Sequence, residues 1–433
     1  MSDWGVLSEV GRLRRVLVHR PGREHRWTLP WNKDAILFDD VMDIEEARTE
    51  HEVFTNKMVN QGVEVLYVTD LLREVCADSG RLEEIYRDVL DSEEQKRVGE
   101  DNFQKLKSEH LISGFPDNFP LDDKGVALFP SPNLYFMRDP AFAVPGAIVV
   151  SSPTKKARRR EARLMATLFD LHREFHGKNV YDGILWKGEE ATEEERPFIE
   201  GGDVHVVDGK TVLIGIGERT NELGAEMLTN FLFEETTVER VLKITLPAKR
   251  EFMHLDTVLT FVDRKRVLTM PYLWDKPELY DQVYRQALQQ VQTFDSTKQV
   301  DATLQDQNFQ SKMELVVRGK AHAPRIEQVF KNVLDGLHDL EIIDREATIF
   351  VAGMDRFPTE QDHVMAALRE QWSDAANTLA LSPGKVMAYN RNDRTFRALE
   401  AAGLEVVTIP GGELVRGRGG TRCMTMPLVR DAA

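Results

Sequence analysis

Residues 204–216, VHVVDGKTVLIGI, decide the fold. Two alternating apolar runs meet at Asp208-Gly209, a pair that supplies the backbone angles of a tight hairpin turn. Beyond them, Leu223, Met227, Leu228, Phe231 and Leu232 fall on one face of a helix over Glu222–Leu232. Val241–Leu246 then reads as another strand. The unit is therefore a hairpin that continues through a helix into a third strand.

Working outward, the same unit recurs. Thr257–Pro271 predicts a second hairpin, followed by a helix from Pro277 to about Val291. Leu379–Tyr389 predicts another, with a helix over Thr395–Ala402 stopped by Gly403 and a strand over Leu404–Ile409. Phe142–Ser151 opens a fourth unit, whose helix runs from about Arg160 to Leu171. The fifth comprises Val16–His19, a helix over Ile44–Asn60 and Val63–Val68. Five such units without solenoid regularity predict an α/β chain closed into a ring, each unit burying its apolar face against its neighbours. Residues 1–433 then form a single domain with two interruptions. Asp70 to about Phe119 is charged and helix-prone, a helical insertion, and 292–345 is an enlarged accessory region with a polar, Gln-rich start.

Composition narrows the function. Lys and Arg number 56 against 72 Asp and Glu, a net charge of −16, which argues against a sequence-independent grip on phosphates and so against nucleic acid. The basic run Lys155–Arg160 is the one local exception and reads as a solvated helix start. No apolar stretch approaches the roughly 20 residues that span a bilayer, and Met1–Val10 lacks the apolar core of a signal peptide. Two cysteines make no disulfide framework. A cytoplasmic protein is expected.

Reactive residues stand at matching points of the units. Arg138-Asp139-Pro140, Glu200-Gly201-Gly202-Asp203 and His254-Leu255-Asp256 each precede a predicted hairpin, and Cys423 lies in the late stretch RGRGGTRCM. A ring would bring Asp139, Glu200, His254, Asp256 and Cys423 to one mouth. The set suits attack on a guanidinium, which stays protonated at neutral pH. Asp139 and Asp256 would hold its nitrogens, and the Cys423 thiolate, favoured by Arg416, Arg418 and Arg422, would attack the central carbon. His254 would serve as acid and then base, oriented by Glu200. Each residue alone also has a structural reading, and Cys76, in a helical stretch, is read as a small buried hydrophobe. Glu200, Asp203 and His205 offer a metal-ligand alternative, but no HExxH or paired-cysteine spacing supports it. Arg219 follows a strand and opens a helix, so it is better placed than the basic run to meet a substrate carboxylate.

These residues resemble the arginine deiminase family of the guanidino-group-modifying (pentein) superfamily. The resemblance rests on Leu37-Phe38-Asp39-Asp40, PNLYFMRDP at 132–140, IEGGD at 199–203, IGERT at 216–220, HLDT at 254–257, REQW at 369–372 and RGRGGTRCMTMPLVR at 416–430. It implies a five-bladed pseudo-symmetric α/β propeller (pentein) with an inserted helical subdomain. It implies hydrolysis of L-arginine to citrulline and ammonia through a covalent Cys423 thiouronium, with His254 as general acid/base, Glu200 its partner, and Asp139 and Asp256 gripping the guanidinium. Asn133, Phe136, Arg158, Arg219 and Arg418 would line the substrate site. No cofactor and no metal are implied; the partner is a small guanidino acid, and the chain is expected to be a homo-oligomer.

Three positions depart from the family pattern: Met137 for Thr, Val415 for Gly and Thr421 for Pro. Because they flank the site, they direct attention to substrate selectivity. The alternatives are a deiminase of another guanidino acid, an amidinotransferase sharing the intermediate, and a binding protein that has lost catalysis. The intact set of five residues argues against the last.

Overall fold

The computed structural model describes residues 4–77, 81–99, 103, 106–114, 128–192, 194–294, 311–354 and 357–433. Its strands form five separate sheets interleaved with helices. All five contain the same element, an antiparallel strand pair, a hairpin in four of them, one strand of which pairs in parallel with a third strand beyond a helix. Val204–Asp208 pairs with Thr211–Ile216, and that strand pairs in parallel with Arg240–Thr245 after the helix Glu222–Glu235. Ala141–Val144, Ala147–Val150 and Val180–Tyr181 repeat the pattern around the helix Lys156–Leu171. Leu379–Ser382, Lys385–Tyr389 and Glu405–Ile409 repeat it around Asp393–Ala401. The alternation of apolar residues places each of these elements to within a few residues.

In the unit that starts at Leu259, the antiparallel partner is Arg266–Thr269 and the parallel strand is Thr348–Phe350, far along the chain. Between them the helix Glu278–Phe294 is followed, after residues outside the description, by a hairpin of Met313–Arg318 and Pro324–Phe330. Met313–Arg318 pairs antiparallel with Arg240–Thr245 and so extends the neighbouring sheet to five strands. The Gln-rich run of the accessory region falls largely on 295–310, outside the described residues.

The fifth sheet joins distant parts of the chain. Met426–Arg430 pairs antiparallel with Leu13–Val18 and in parallel with Gly5–Val6, while Glu64–Tyr67 flanks Leu13–Val18. The intervening helix Ile44–Asn60 begins at Asp43, whose carboxylate accepts the Glu45 and Glu46 N–H groups. Arg430, buried, donates to the Gly11 and Ala380 carbonyls and so ties this sheet to the one beginning at Leu379.

After Glu64–Tyr67 come the short helices Val68–Val75, Leu82–Val89, Ser92–Val98 and His110–Ser113. Their apolar faces, with Leu71, Ile85, Tyr86 and Val89, pack against Leu164, Met165 and Leu168 of the helix Lys156–Leu171. Residues 115–127 of this charged segment lie outside the description.

Candidate active site

The segments just before four of the five antiparallel pairs carry the candidate residues. Asp139 precedes Ala141, and Glu200 leads into the 3-10 turn Gly201–Asp203 before Val204. His254 leads into the turn Leu255–Thr257 before Leu259, and Cys423 precedes Met426. The fold thus gathers residues from 139 to 423 around one small cavity of about 20 Å³, lined by Asp139, His254, Cys423, Asn133, Phe136, Arg158, Arg219 and Arg418, with Leu37, Arg250, Met253 and Gly417. Close packing there demands glycine. A Cβ at Gly202 would lie 2.7 Å from the His254 ring, and one at Gly419 only 2.1 Å from the Phe136 ring.

His254 Nε2 is 3.0 Å from Glu200 Oε2, and its Nδ1 is 3.8 Å from Asp139 Oδ1. Burial disfavours the imidazolium, but Asp139, the Glu200 hydrogen bond and Asp203 outweigh it and push the His254 pKa up to about 10. Burial likewise opposes the Glu200 carboxylate, yet Arg219 and His254 hold its pKa down at about 2. At neutral pH the pair is therefore an imidazolium–carboxylate ion pair.

Cys423 Sγ is 3.7 Å from Asp256 Oδ2 and accepts a hydrogen bond from Asn377 Nδ2 at 3.1 Å. Three arginines nearby do not make it a thiolate, contrary to the sequence-based expectation. Burial, then Asp256, Asp139 and Asp374, raise its pKa well above the usual thiol value, against the opposing charge of Arg422. The reason lies in where the arginines go. Arg422 is chelated by Glu9, donates to Asp256 at 2.7 Å and caps the Val204 carbonyl. Arg416 pairs with Asp40 and Glu413 at the surface.

The remaining arginines differ in what they have left to give. Arg158 donates from Nη1 to Asp139 at 2.5 Å, from Nε to Glu161 and from Nη2 to the Asn133 and Phe136 carbonyls, so its donors are engaged. Arg219 lies 3.6 Å from Glu200 and 3.4 Å from Glu218. Arg418, at φ 62°, stacks 3.9 Å from the Trp372 ring, lies 3.8 Å from Asp39, and has no hydrogen-bond acceptor on any guanidinium nitrogen among the described residues. Asn133 donates to the Ile36 carbonyl, and the Phe136 ring lies against Tyr135.

Asp139 Oδ1, Asp256 Oδ1 and Glu200 Oε1 are all buried and accept no hydrogen bond from the described residues. Buried carboxylate oxygens are rarely left this way. Asp139 lines the cavity itself, while Asp256 stands behind Cys423 and Glu200 behind His254, so the acceptors left open suit a cation with several N–H donors. Asp139, Glu200 and His254 also bring ligand atoms within 4.8 Å of one another, as a metal site would. The proton that His254 holds at neutral pH works against that use, because a metal-bound imidazole must be neutral. Asp203 instead accepts from Thr220 and the Leu255 N–H, and His205 packs by Phe261 with neither ring nitrogen bonded.

Sequence reasoning missed Asn377 and Asp374. Asn377 Oδ1 accepts the N–H groups of both Arg422 and Cys423, and so fixes the backbone on which the thiol sits. Asp374 is buried with neither carboxylate oxygen bonded, and burial lifts its pKa to about 7. Both stand just before Leu379, the start of a hairpin, which is the position that singled out Asp139, Glu200 and His254. The three departures lie off the cavity. Met137 and Val415 are buried in apolar clusters, and the Thr421 hydroxyl donates to the Met387 carbonyl and accepts the Leu379 N–H.

Residues 34–113 and 120–430 match the arginine deiminase family. The chain belongs to that family. Its curated relatives include the arginine deiminase of Staphylococcus haemolyticus, 32% identical over 98% of both chains. That of Borrelia garinii subsp. bavariensis is 33% identical, covering 100% of this chain and 98% of its own. This member of the family is accordingly an enzyme. Among solved structures, the amidinotransferase SxtG from Microseira wollei superposes with TM-score 0.52 at 14% identity, over 100% of this chain and 98% of that one. The product-bound N-terminal domain of ArgZ, a cyanobacterial arginine dihydrolase, gives 0.51 at 13% identity, over 96% and 97%. At such identities the likeness concerns the mixed α/β fold alone. No helix among the described residues is long and apolar enough to cross a membrane.

Proposed function

We propose that this chain hydrolyses L-arginine to citrulline and ammonia, with Cys423 as nucleophile and His254 as general acid and base. Near-full-length identity of 32% and 33% to curated arginine deiminases supports the reaction. One observation carries the residue roles: the unbonded oxygens of Asp139, Asp256 and Glu200 around Cys423 and His254. The guanidinium binds between Asp139 and Asp256 and neutralises two of the carboxylates that keep Cys423 protonated. Its arrival therefore lowers the thiol pKa, the proton is released, and Sγ attacks the central carbon. His254 gives its proton to the departing nitrogen as the C–N bond breaks, leaving the thiouronium. The neutral imidazole then takes a proton from water, whose oxygen attacks the same carbon. Cleavage of the C–S bond returns Cys423 and releases citrulline.

Arg418 and Arg219 are the arginines we assign to the substrate carboxylate, Arg418 first because its donors have no acceptor. Arg158 borders the same cavity and steadies Asp139. A cavity of about 20 Å³ is far too small for arginine, so binding requires side chains of its lining to move. We further infer that the five sheets are blades of a propeller centred on this cavity, carrying the segment 70–119 as a helical insertion and 292–345 as an accessory region. Five repeats of one topology support that reading. The two unpaired cysteines fit a reducing cytoplasm.

Incubation with L-arginine alone, assaying both products, tests the proposal. Equal citrulline and ammonia are expected. Ornithine formed only when glycine is added as acceptor would instead make the chain an amidinotransferase, and inert arginine with another guanidino acid consumed would move the substrate.

A further inference from the structure

A second cavity, of about 570 Å³, opens between the first sheet and the short helices that follow it. Residues 19–24 form one wall, Tyr67 to Arg73 a second, and 108–113 a third. Its volume falls in the range that holds a small organic ligand. In a chain of net charge −16, four arginines line it: Arg20, Arg23, Arg48 and Arg73.

The carboxylates of the lining neutralise only part of that charge. Asp70 holds Arg73 at 2.7 Å. Glu24 is occupied by His19 at 2.9 Å and by the Gly22 N–H. Glu109 is the remaining acid. Arg20 and Arg48 have no ion-pair partner among the described residues. The Arg20 guanidinium lies over the Tyr67 ring at 5.4 Å, and its Nε is buried without an acceptor. An unfilled buried donor costs stability, so the protein around Arg20 leaves its guanidinium unsatisfied. The unneutralised charge is felt nearby: buried His51 is held at a pKa of about 3, by burial first and then by His19 and Arg20.

We propose that this cleft binds a metabolite bearing a phosphate group, with Arg20 and Arg48 holding the phosphoryl oxygens. Guanidinium forks match phosphate oxygens bidentately. Three acceptor oxygens also suit arginines arriving from separate walls, with the Thr69, Ser108 and Ser113 hydroxyls beside them. The cleft adjoins the catalytic cavity through rings. His25, 3.5 Å from Glu24, packs edge-on against Phe38 and Tyr135, and Tyr135 lies against Phe136 of the catalytic lining. Occupancy therefore presses on the wall of the site where Cys423 works.

Calorimetric titration of the whole protein with ADP, pyrophosphate, inorganic phosphate and citrate tests this. ADP or pyrophosphate should bind, more weakly as salt rises, and the double variant Arg20→Gln, Arg48→Gln should weaken binding by at least about tenfold, the loss of one charge-assisted contact. Citrulline formation should change with the same midpoint in the native protein and stay unaffected by the ligand in the double variant. No binding of any phosphate at millimolar concentration would overturn the proposal. So would equal binding to the double variant, or citrate binding in preference to every phosphate. Thermal unfolding of the variant checks its fold, and Arg48→Gln alone, at an exposed position, gives a second measurement. The binding arm needs no turnover, so it stands apart from the deiminase reading.

Discussion

Replacing Asn377 by alanine should impair the chemistry through one atom and the stability through another. Its Nδ2 donates to Cys423 Sγ at 3.1 Å, the sole hydrogen bond from a side-chain amide to that sulfur among the described residues. A hydrogen bond to a charged group contributes about 1.5–3 kcal/mol. Losing it while the sulfur is anionic pushes the thiol pKa further up and slows thiolate attack by roughly 10–150-fold. The Oδ1 atom meanwhile accepts the Arg422 and Cys423 N–H groups at 3.1 and 3.0 Å. Each buried N–H left unpaired costs about 1–3 kcal/mol, so the denaturation midpoint should fall as well. The assay is kcat for citrulline formation, together with the pH dependence of Cys423 alkylation by iodoacetamide, on protein shown to be folded. A kcat within twofold of native, with an unshifted alkylation profile, would refute the idea that Asn377 supports the thiolate.

Cys423→Ala should abolish citrulline formation and keep arginine binding, measured calorimetrically, because the carboxylate grip survives; measurable turnover would remove Cys423 from the mechanism. Glu200→Gln keeps an acceptor but removes one of the charges that, with Asp139 first, raise the His254 pKa from 6.5 to about 10. The alkaline limb of the kcat profile should therefore move to lower pH by about one unit or more, and an unmoved limb would dissociate Glu200 from the histidine. Asp374 has a folded pKa of about 7 against 3.8 in the reference state. Its proton thus favours the fold fully below about pH 4, and that contribution is lost as pH rises through 7. Asp374→Asn should raise the melting temperature relative to native protein at pH 8 and show little difference near pH 4; the opposite trend would mean Arg418 already compensates the charge.

Much of this arrangement is readable in the chain because one physical rule repeats. Alternation at 204–216 and its counterparts marks each hairpin, and the reactive residues stand immediately before it. The same rule would have found Asp374 and Asn377 ahead of Leu379, had attention gone to position rather than to acids, histidine and cysteine alone. What local pattern does not carry is partnership across the chain. The expectation that Arg422 would acidify Cys423 fails because its guanidinium is claimed by Glu9, more than four hundred residues away in sequence yet adjacent in space. Arg158 is drawn to Asp139 in the same manner. Met137 and Val415 looked like selectivity positions by adjacency, but both side chains are buried in apolar clusters and neither lines the cavity. The hairpin at 313–330 escaped notice because its second strand, exposed from Pro324 to Val329, lacks the apolar alternation that marks a half-buried strand.

The strand Met426–Arg430 inserts between Gly5–Val6 and Leu13–Val18, three residues beyond Cys423. During synthesis the first sheet must therefore wait, incomplete, with the Leu13–Val18 edge unpaired on that side, until the other four sheets have emerged. Every acidic group of the cavity precedes the sulfur in the chain, yet Arg422, which holds Glu9 and Asp256, arrives with it. A chain cut before Arg422 lacks both the nucleophile and the tie between those carboxylates, so chemical competence arrives together with the last seam of the fold.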